Sequence, residues 1–418
     1  MWDPYGEFES TTLPNGLKVY ATHWPERPWE AIGFVVHSGA EQDPVGLEGV
    51  AHFVEHLFCQ NATMSEKEIS AFFRDCGGSV KLGTTSHGAT KYYFFIPADR
   101  EVLTEAFSLF GHMLLSEKLE KFVERERQVI IGEFHRSYPV KFSLDLDVRR
   151  TKALYSDHWL GRYVTPLGNL ESVSKIAQSD LQTYYDTHYT PTNISVVGVG
   201  GLQLSELVDI LSESPLAVNK KGARTPLPLR STKINPPREI RHVFEYSKHM
   251  SMTTPVEVGA YLSTAVLPGN VNTAVRILNL MLDEILDDEV RQERAWAYDI
   301  HCSWHDFRHF HEFVIGCGAV SLNGIDTIED VVETCVASLT DREDLFEKHR
   351  RREIANNRMI DPRGHGVCEA ATDDLADCNR IISLTEYGRD MEALKMSDIR
   401  NMLKWIHPEQ RWTLIKKP

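Results

Sequence analysis

The sequence predicts an α+β protein made of two homologous units, each a mainly antiparallel sheet packed with helices. Three observations carry that expectation. The chain has 418 residues, more than one hydrophobic core normally organises. It also repeats. Ser179-Asp180-Leu181, Tyr184-Tyr185, Pro191 and Ile194-Ser195-Val196-Val197 are echoed by Ser397-Asp398-Ile399, Met402-Leu403, Pro408 and Trp412-Thr413-Leu414-Ile415, an offset of 397 − 179 = 218. Val258-Gly259-Ala260-Tyr261-Leu262-Ser263 likewise echoes Ala31-Ile32-Gly33-Phe34-Val35-Val36. Finally, residues 215–237 gather Pro215, Pro226, Pro228, Pro236 and Pro237 among Lys, Arg, Ser and Gly, a linker composition. The expected division is 1–214, a linker over 215–237, and 238–418.

The elements follow from local pattern. Leu17–Tyr20 and Ala31–His37 read as strands, apolar and partly β-branched, with Asn15-Gly16 as a turn. Gly49–Phe58 is an apolar run that reads as a buried helix. Ser65–Asp75 is a second helix, capped by Ser65 and stopped by Gly77-Gly78. Val80–Thr85 and Ala89–Pro97 form a strand pair, followed by helices over Val102–Leu115 and Glu120–Arg136. Ser179–Tyr185 is a short helix and Asn193–Val199 a β-branched closing strand.

Composition excludes some roles. At 42% hydrophobic and 25% charged the chain is ordinary globular protein, and its net charge of −15 argues against nucleic acid as a partner. No apolar run approaches membrane-spanning length, so no membrane partner is expected. The seven cysteines show no framework spacing, which fits reduced thiols and a cytoplasmic location. The N-terminus has neither the basic nor the apolar stretch of a leader.

The chemistry centres on His52-Phe53-Val54-Glu55-His56. On a helix, positions 52 and 56 are one turn apart on the same face, and Glu55 leans toward it. Two neutral imidazoles suit zinc, and a nearby carboxylate that is not a ligand can take a proton from water. H-x-x-E-H is a zinc-peptidase pattern, but a polar helix face would give the same residues, so a third ligand is needed. Glu126 and Glu133, two turns apart, share a face of the helix that begins at Glu120. Val129, Ile130 and Ile131 mark that helix as packed. A packed carboxylate needs a partner, which zinc or an ordinary surface ion pair could supply.

The sequence resembles the insulinase/pitrilysin-type zinc metallopeptidases, the inverzincins, in their short two-domain form. The family's third ligand follows H-x-x-E-H after 76 residues, and 133 − 56 − 1 = 76 lands on Glu133. The glutamate that orients the family's ligand shell falls on Glu126. Thr12–Val19, Gly39-Ala40-Glu41, Gly49…Ala51 and Cys76-Gly77-Gly78 with Thr84-Thr85 also match. The resemblance implies one Zn2+ per chain on His52, His56 and Glu133, with Glu55 as general base. It further implies that Arg291 and Tyr298 reach the substrate, although Ala295 stands where the family has glycine and Trp296 where it has leucine. Lys81, Leu82, Gly83 and Thr84 correspond to an edge strand that binds peptide backbone, but the family's Asn-Ala is missing there.

The expected activity is that of a zinc metalloendopeptidase acting on peptides or unfolded segments within a dimeric chamber, as a homodimer or a heterodimer with a related subunit. Two rivals are a precursor-processing subunit of a heterodimer and a non-catalytic peptide-binding member. Two other features read more simply. His301, His305, His309 and His311 look like surface or cross-strand histidines on one strand face. Cys59, near His56, reads as a small buried residue.

Overall fold

The computed structural model describes residues 8–25, 27–58, 64–115, 122–137, 148, 151–152, 155, 159–163, 165–218, 240–245, 253–263, 271–307, 310–321, 324, 327–358, 364–406 and 411–417. The fold is α+β. Two compact units divide the chain: Met1–Asp147, Arg162–Leu229 and Asp361–Leu384 form one, and Val148–Gly161, Arg230–Ile360 and Thr385–Pro418 the other.

The first unit holds strands β1 (Glu9–Thr12), β2 (Lys18–His23), β3 (Trp29–Val36), β4 (Ser79–Thr85), β5 (Thr90–Pro97) and β6 (Ile194–Gly200), in the order β1-β2-β6-β3-β5-β4. The β2–β6 pair is parallel and the other pairs are antiparallel. Strand β3 is buried on both faces, which explains why it reads as a continuous apolar run and not an alternating one. Ile32, Phe34 and Val36 point into one core, with Phe107 and Phe110 of a helix over Arg100–Leu114. Ala31 and Val35 point the other way, onto Cys368, Ala371 and Leu375 of the helix Gly364–Cys378. Approach there is close. A Cβ on Gly33 would lie 2.6 Å from the Thr372 methyl, and Tyr93 and Thr372 share a 2.7 Å hydroxyl hydrogen bond. A helix from late in the sequence thus completes the first unit.

The second unit holds β7 (Ile240–Glu245), β8 (Thr253–Ser263), β9 (Ile300–Phe307), β10 (Phe310–Ser321) and β11 (Arg411–Lys417), in the order β7-β11-β8-β10-β9. The β7–β11 pair is parallel and the rest antiparallel. Laid on the first sheet, this is the order β2-β6-β3-β5-β4 with the same pair parallel. The sequence repeat falls on it: Ile194–Val197 lies in β6 and Trp412–Ile415 in β11, while Ala31–Val36 lies in β3 and Val258–Ser263 in β8. Phe313, Ile315 and Cys317 of β10 pack with Leu278, Met281 and Leu282 of the helix Val271–Leu286. Tyr155, from a segment early in the chain, donates to Glu312 at 2.8 Å within this unit.

Three expectations need adjustment. The start of the 215–237 stretch is a helical turn, Pro215–Val218, whose Leu216 is buried; residues 219–239 lie outside the described residues. The histidine run spans a hairpin and not one strand, because β9 ends at Phe307 and β10 begins at Phe310. His301 pairs with Gly316, His305 with Glu312 and His311 with Asp306, while His309 and Cys59 lie outside the described residues. Lastly, Val129 is 45% exposed, whereas its neighbour Ile130 is fully buried. Each residue turns the helix by about 100°, so an apolar triplet cannot all face inward.

Candidate metal centre and cleft

Helix α1 (Val50–Leu57) carries the motif, and its start is held from two sides. The Asp43 carboxylate accepts the N–H of Gly49 at 2.6 Å and of Ala51 at 2.9 Å, which occupies donors a helix N-terminus leaves unpaired. Gly49 sits at φ 101°, where a side chain is strained, and a Cβ there would come within 2.6 Å of the Leu167 carbonyl. Val50, Ala51, Phe53, Val54 and Leu57 enter the core, which leaves His52, Glu55 and His56 on the face turned from it.

Helix α2 (Val123–Ser137) presents the two glutamates. Arg127 pins it: its guanidinium donates to the Ile176 carbonyl at 2.8 Å and to the Val173 carbonyl, and lies 5.2 Å from the centre of the Phe53 ring. That fixes α2 against α1 and aims Glu126 and Glu133 at the imidazoles.

Glu133 stands between the two rings. Its Oε2 is 3.5 Å from His52 Nε2 and 3.4 Å from His56 Nε2, while Arg136 approaches the other oxygen at 3.5 Å. Glu126 Oε2 is 3.5 Å from His56 Nδ1, on the side of the ring away from Glu133. Glu55 Oε2 stands 3.8 Å from His52 Nε2 and accepts the Thr85 hydroxyl at 3.1 Å. Among the described residues, His52, His56 and Glu133 form the one cluster able to hold a metal ion, with all ligand atoms within 4.8 Å of one another.

The donor set fits zinc. Nitrogen and oxygen ligands at about 2.0–2.1 Å from a tetrahedral zinc lie roughly 3.3–3.4 Å apart, close to the 3.5 and 3.4 Å that separate Glu133 Oε2 from the two ring nitrogens. Electrostatics agree. Burial, reinforced by His56, pushes His52 down to about 3, so its imidazole is neutral as a ligand must be. Burial works against a charge on His56 as well, but Glu126 and Glu133 overcome it and raise His56 to about 9. Burial lifts the Glu55 carboxyl to about 7, opposed by His56 and the Thr85 hydroxyl, and a cation alongside would lower it again.

The site opens on a cleft of about 670 Å3, lined also by Gly83, Thr84, Val129, Gly132 and Leu167. Strand β4 borders it and ends the sheet order, so among the described residues its outer edge pairs with no other strand. Lys81, Leu82, Gly83 and Thr84 all lie on β4. Arg291 and Tyr298 belong to the second unit. There the Arg291 guanidinium lies 5.1 Å from the centre of the Tyr298 ring and pairs with Asp287 at 3.2 Å, and Tyr298 is 82% exposed. Ala295 between them adopts φ 50°, a left-handed conformation that a glycine would adopt without strain.

Sequence reasoning did not find Asp43, Arg127 or the Thr85 contact. Asp43 precedes the motif and could have been noticed as an acid ahead of a glycine-started helix. The other two depend on contacts between distant segments that no spacing reveals.

The fold and the site define a two-unit α+β protein with a His/His/Glu metal cluster and an adjacent carboxylate. Residues 18–161 match insulinase (peptidase family M16), and residues 175–352 match the peptidase M16 inactive domain. The chain belongs to the M16 family. It is similar to an uncharacterized zinc protease of Mycobacterium leprae, 28% identical over 226 residues that cover 53% of this chain and 49% of that protein. It is also similar to the mitochondrial-processing peptidase subunit beta of Neurospora crassa, 27% identical over 204 residues covering 48% of this chain and 42% of that one. The chain thus spans about half the length of these curated relatives. A protease from Helicobacter pylori shares the fold over 100% of both chains with a TM-score of 0.85 at 19% identity. The periplasmic protease PqqL from Escherichia coli shares it over 98% of this chain and 47% of its own, with a TM-score of 0.81 at 13% identity. Among the described residues, no helix is long and apolar enough to cross a membrane.

Proposed function

We propose that this protein is a zinc-dependent endopeptidase that hydrolyses peptides and unfolded segments. The observation that carries this reading is the convergence of His52, His56 and Glu133 on one point, with Glu55 alongside and an open strand edge at the cleft. One zinc ion per chain would be held by these three residues, and Glu126 would keep the His56 ring oriented. Zinc bound there would act as a Lewis acid, polarising the scissile carbonyl and lowering the pKa of water at an open position toward roughly 7.

The chain's own groups supply the rest. Main-chain groups of Lys81–Thr84 accept the substrate as an added strand, which suits an extended peptide whatever its side chains. The Glu55 carboxylate takes a proton from the attacking water and returns it to the amide nitrogen as the C–N bond breaks. Tyr298 and Arg291 are donors, and the family resemblance assigns them to the substrate; a hydrogen bond to the carbonyl oxygen would strengthen as charge builds there.

Similarity to a processing-peptidase beta subunit supports a second reading, in which the chain works within a heterodimer on specific precursors; a homodimer is the alternative. One comparison tests the general reading. Zinc-loaded protein is given a flexible peptide and the same sequence locked within a folded, disulfide-closed domain, with His52→Ala as the metal-site control. Cleavage of the free peptide alone, lost in His52→Ala, is the expected outcome. No cleavage by zinc-loaded protein, or equal cleavage by His52→Ala, contradicts it.

A further inference from the structure

The β4 edge does more at this site than border the cleft. Its pairing with β5 shifts register between Lys81 and Thr84, so the strand bulges beside the general base. Within the bulge Gly83 adopts φ 148°. A Cβ built there would lie 2.1 Å from Glu55 Oε1, 2.5 Å from its Cγ and 2.6 Å from its Cδ. No side chain fits at 83 while Glu55 keeps this position, and the atoms in the way include the side-chain stem, not only its tip. Two residues on, the Thr85 hydroxyl donates to the other oxygen, Oε2, at 3.1 Å. Glu55 is 13% exposed, so water does little to fix its orientation.

We infer that β4 is the positioning element for Glu55: Thr85 holds one carboxylate oxygen, and the bare backbone at Gly83 forms the wall against which the other rests. The inference rests on the proposed role of Glu55 and extends it. Thr85 is a positioning residue that acts through Glu55, and Gly83 is required for its missing side chain. A carboxylate clamped in this way aims its proton-accepting lone pair before substrate arrives, so little reorganisation is needed during the reaction. It also ties two events together. A peptide that pairs with the edge of β4 pairs with the same strand that sets the base, so docking in a shifted register would be felt at Glu55.

The test uses the full-length zinc-loaded protein and two readouts. In the first, Thr85→Val removes the hydroxyl and Thr85→Ser keeps it. With zinc content unchanged in both, Thr85→Val is expected to lower kcat on a flexible peptide by roughly 10- to 100-fold with KM within about twofold, and Thr85→Ser to stay within about threefold of the parent. The second needs no turnover. Gly83→Ala is introduced into the parent and into Glu55→Ala, and the fall in Tm is compared. Backbone strain at φ 148° is common to both, but the collision with the carboxylate exists only in the parent, so the fall is expected to be clearly larger there. Parent-like kcat in Thr85→Val, or Thr85→Ser failing as badly as Thr85→Val with zinc retained, overturns the positioning role. Equal Tm losses for Gly83→Ala in the two backgrounds overturn the wall. Should the parent cleave no peptide, the proposed function falls and the Tm comparison still decides whether β4 clamps Glu55.

Discussion

Glu126 faces His56 across the ring from Glu133: its Oε2 lies 3.5 Å from Nδ1, while Glu133 Oε2 lies 3.4 Å from Nε2. The imidazole is therefore held between two carboxylates, and Glu126, the one that does not face His52, steadies its ring plane. Partners of this kind orient ligands, and their loss typically costs about 10- to 100-fold in metal affinity. Glu126→Gln is expected to weaken zinc binding by that amount, measured by competition with a chelator, while the fold is kept. An unchanged affinity would mean that Glu126 only fills space.

A second expectation concerns pH and lies away from the metal. Glu30 is buried in β3, accepts the Leu202 N–H at 3.1 Å, and is pushed by burial from 4.5 up to about 8. Because the folded value exceeds the unfolded one, the folded state binds the extra proton between them. The stability Glu30 contributes is therefore complete below about pH 4.5 and is lost as pH rises through about 8. Glu30→Gln mimics the protonated form. It should match the parent near pH 5 and exceed it by on the order of a few kcal/mol above pH 8, in denaturant titrations of each protein. Differences between the two cancel the titration of the metal ligands. Parallel stability curves across this range would show that Glu30 stays ionised.

The Arg291–Tyr298 loop makes its own prediction. Ala295 holds φ 50° at a cost to a residue with a Cβ, which glycine avoids while bringing more freedom to the unfolded chain. Ala295→Gly should thus be neutral or stabilising, by up to about 1 kcal/mol. Tyr298→Phe should leave stability unchanged, since the hydroxyl is exposed, and lower kcat more than it raises KM. A rise in KM alone would make Tyr298 a binding contact only.

Legibility in the sequence differs residue by residue. His52 and His56 declared themselves through helical spacing, whereas Glu133 needed the family's 76-residue interval, since spacing cannot say which helices touch. The duplicated sheet was legible because β6 and β11, like β3 and β8, must be apolar to sit at the centre of their sheets. The helix Gly364–Cys378 was not. Cys368, Ala371 and Leu375 reveal a buried face but not that β3 and β6 of the first unit cover it. Thr85 and Glu55 are 30 positions apart, and a hydroxyl in a strand carries no mark of the carboxylate it will meet. Pattern reports the environment of an element; it does not report the partner.

The proposed mechanism turns on Glu55 moving a proton and not holding the metal. Glu55→Gln keeps the shape of the side chain and removes its basicity, so metal content and peptide cleavage measured on one preparation separate the two roles. The expected result is about one zinc per chain, as in the parent, with kcat down on the order of 10²–10⁴ or more from loss of the base. Cleavage near the parent rate with zinc in place, or loss of zinc together with activity, would rule out Glu55 as the base.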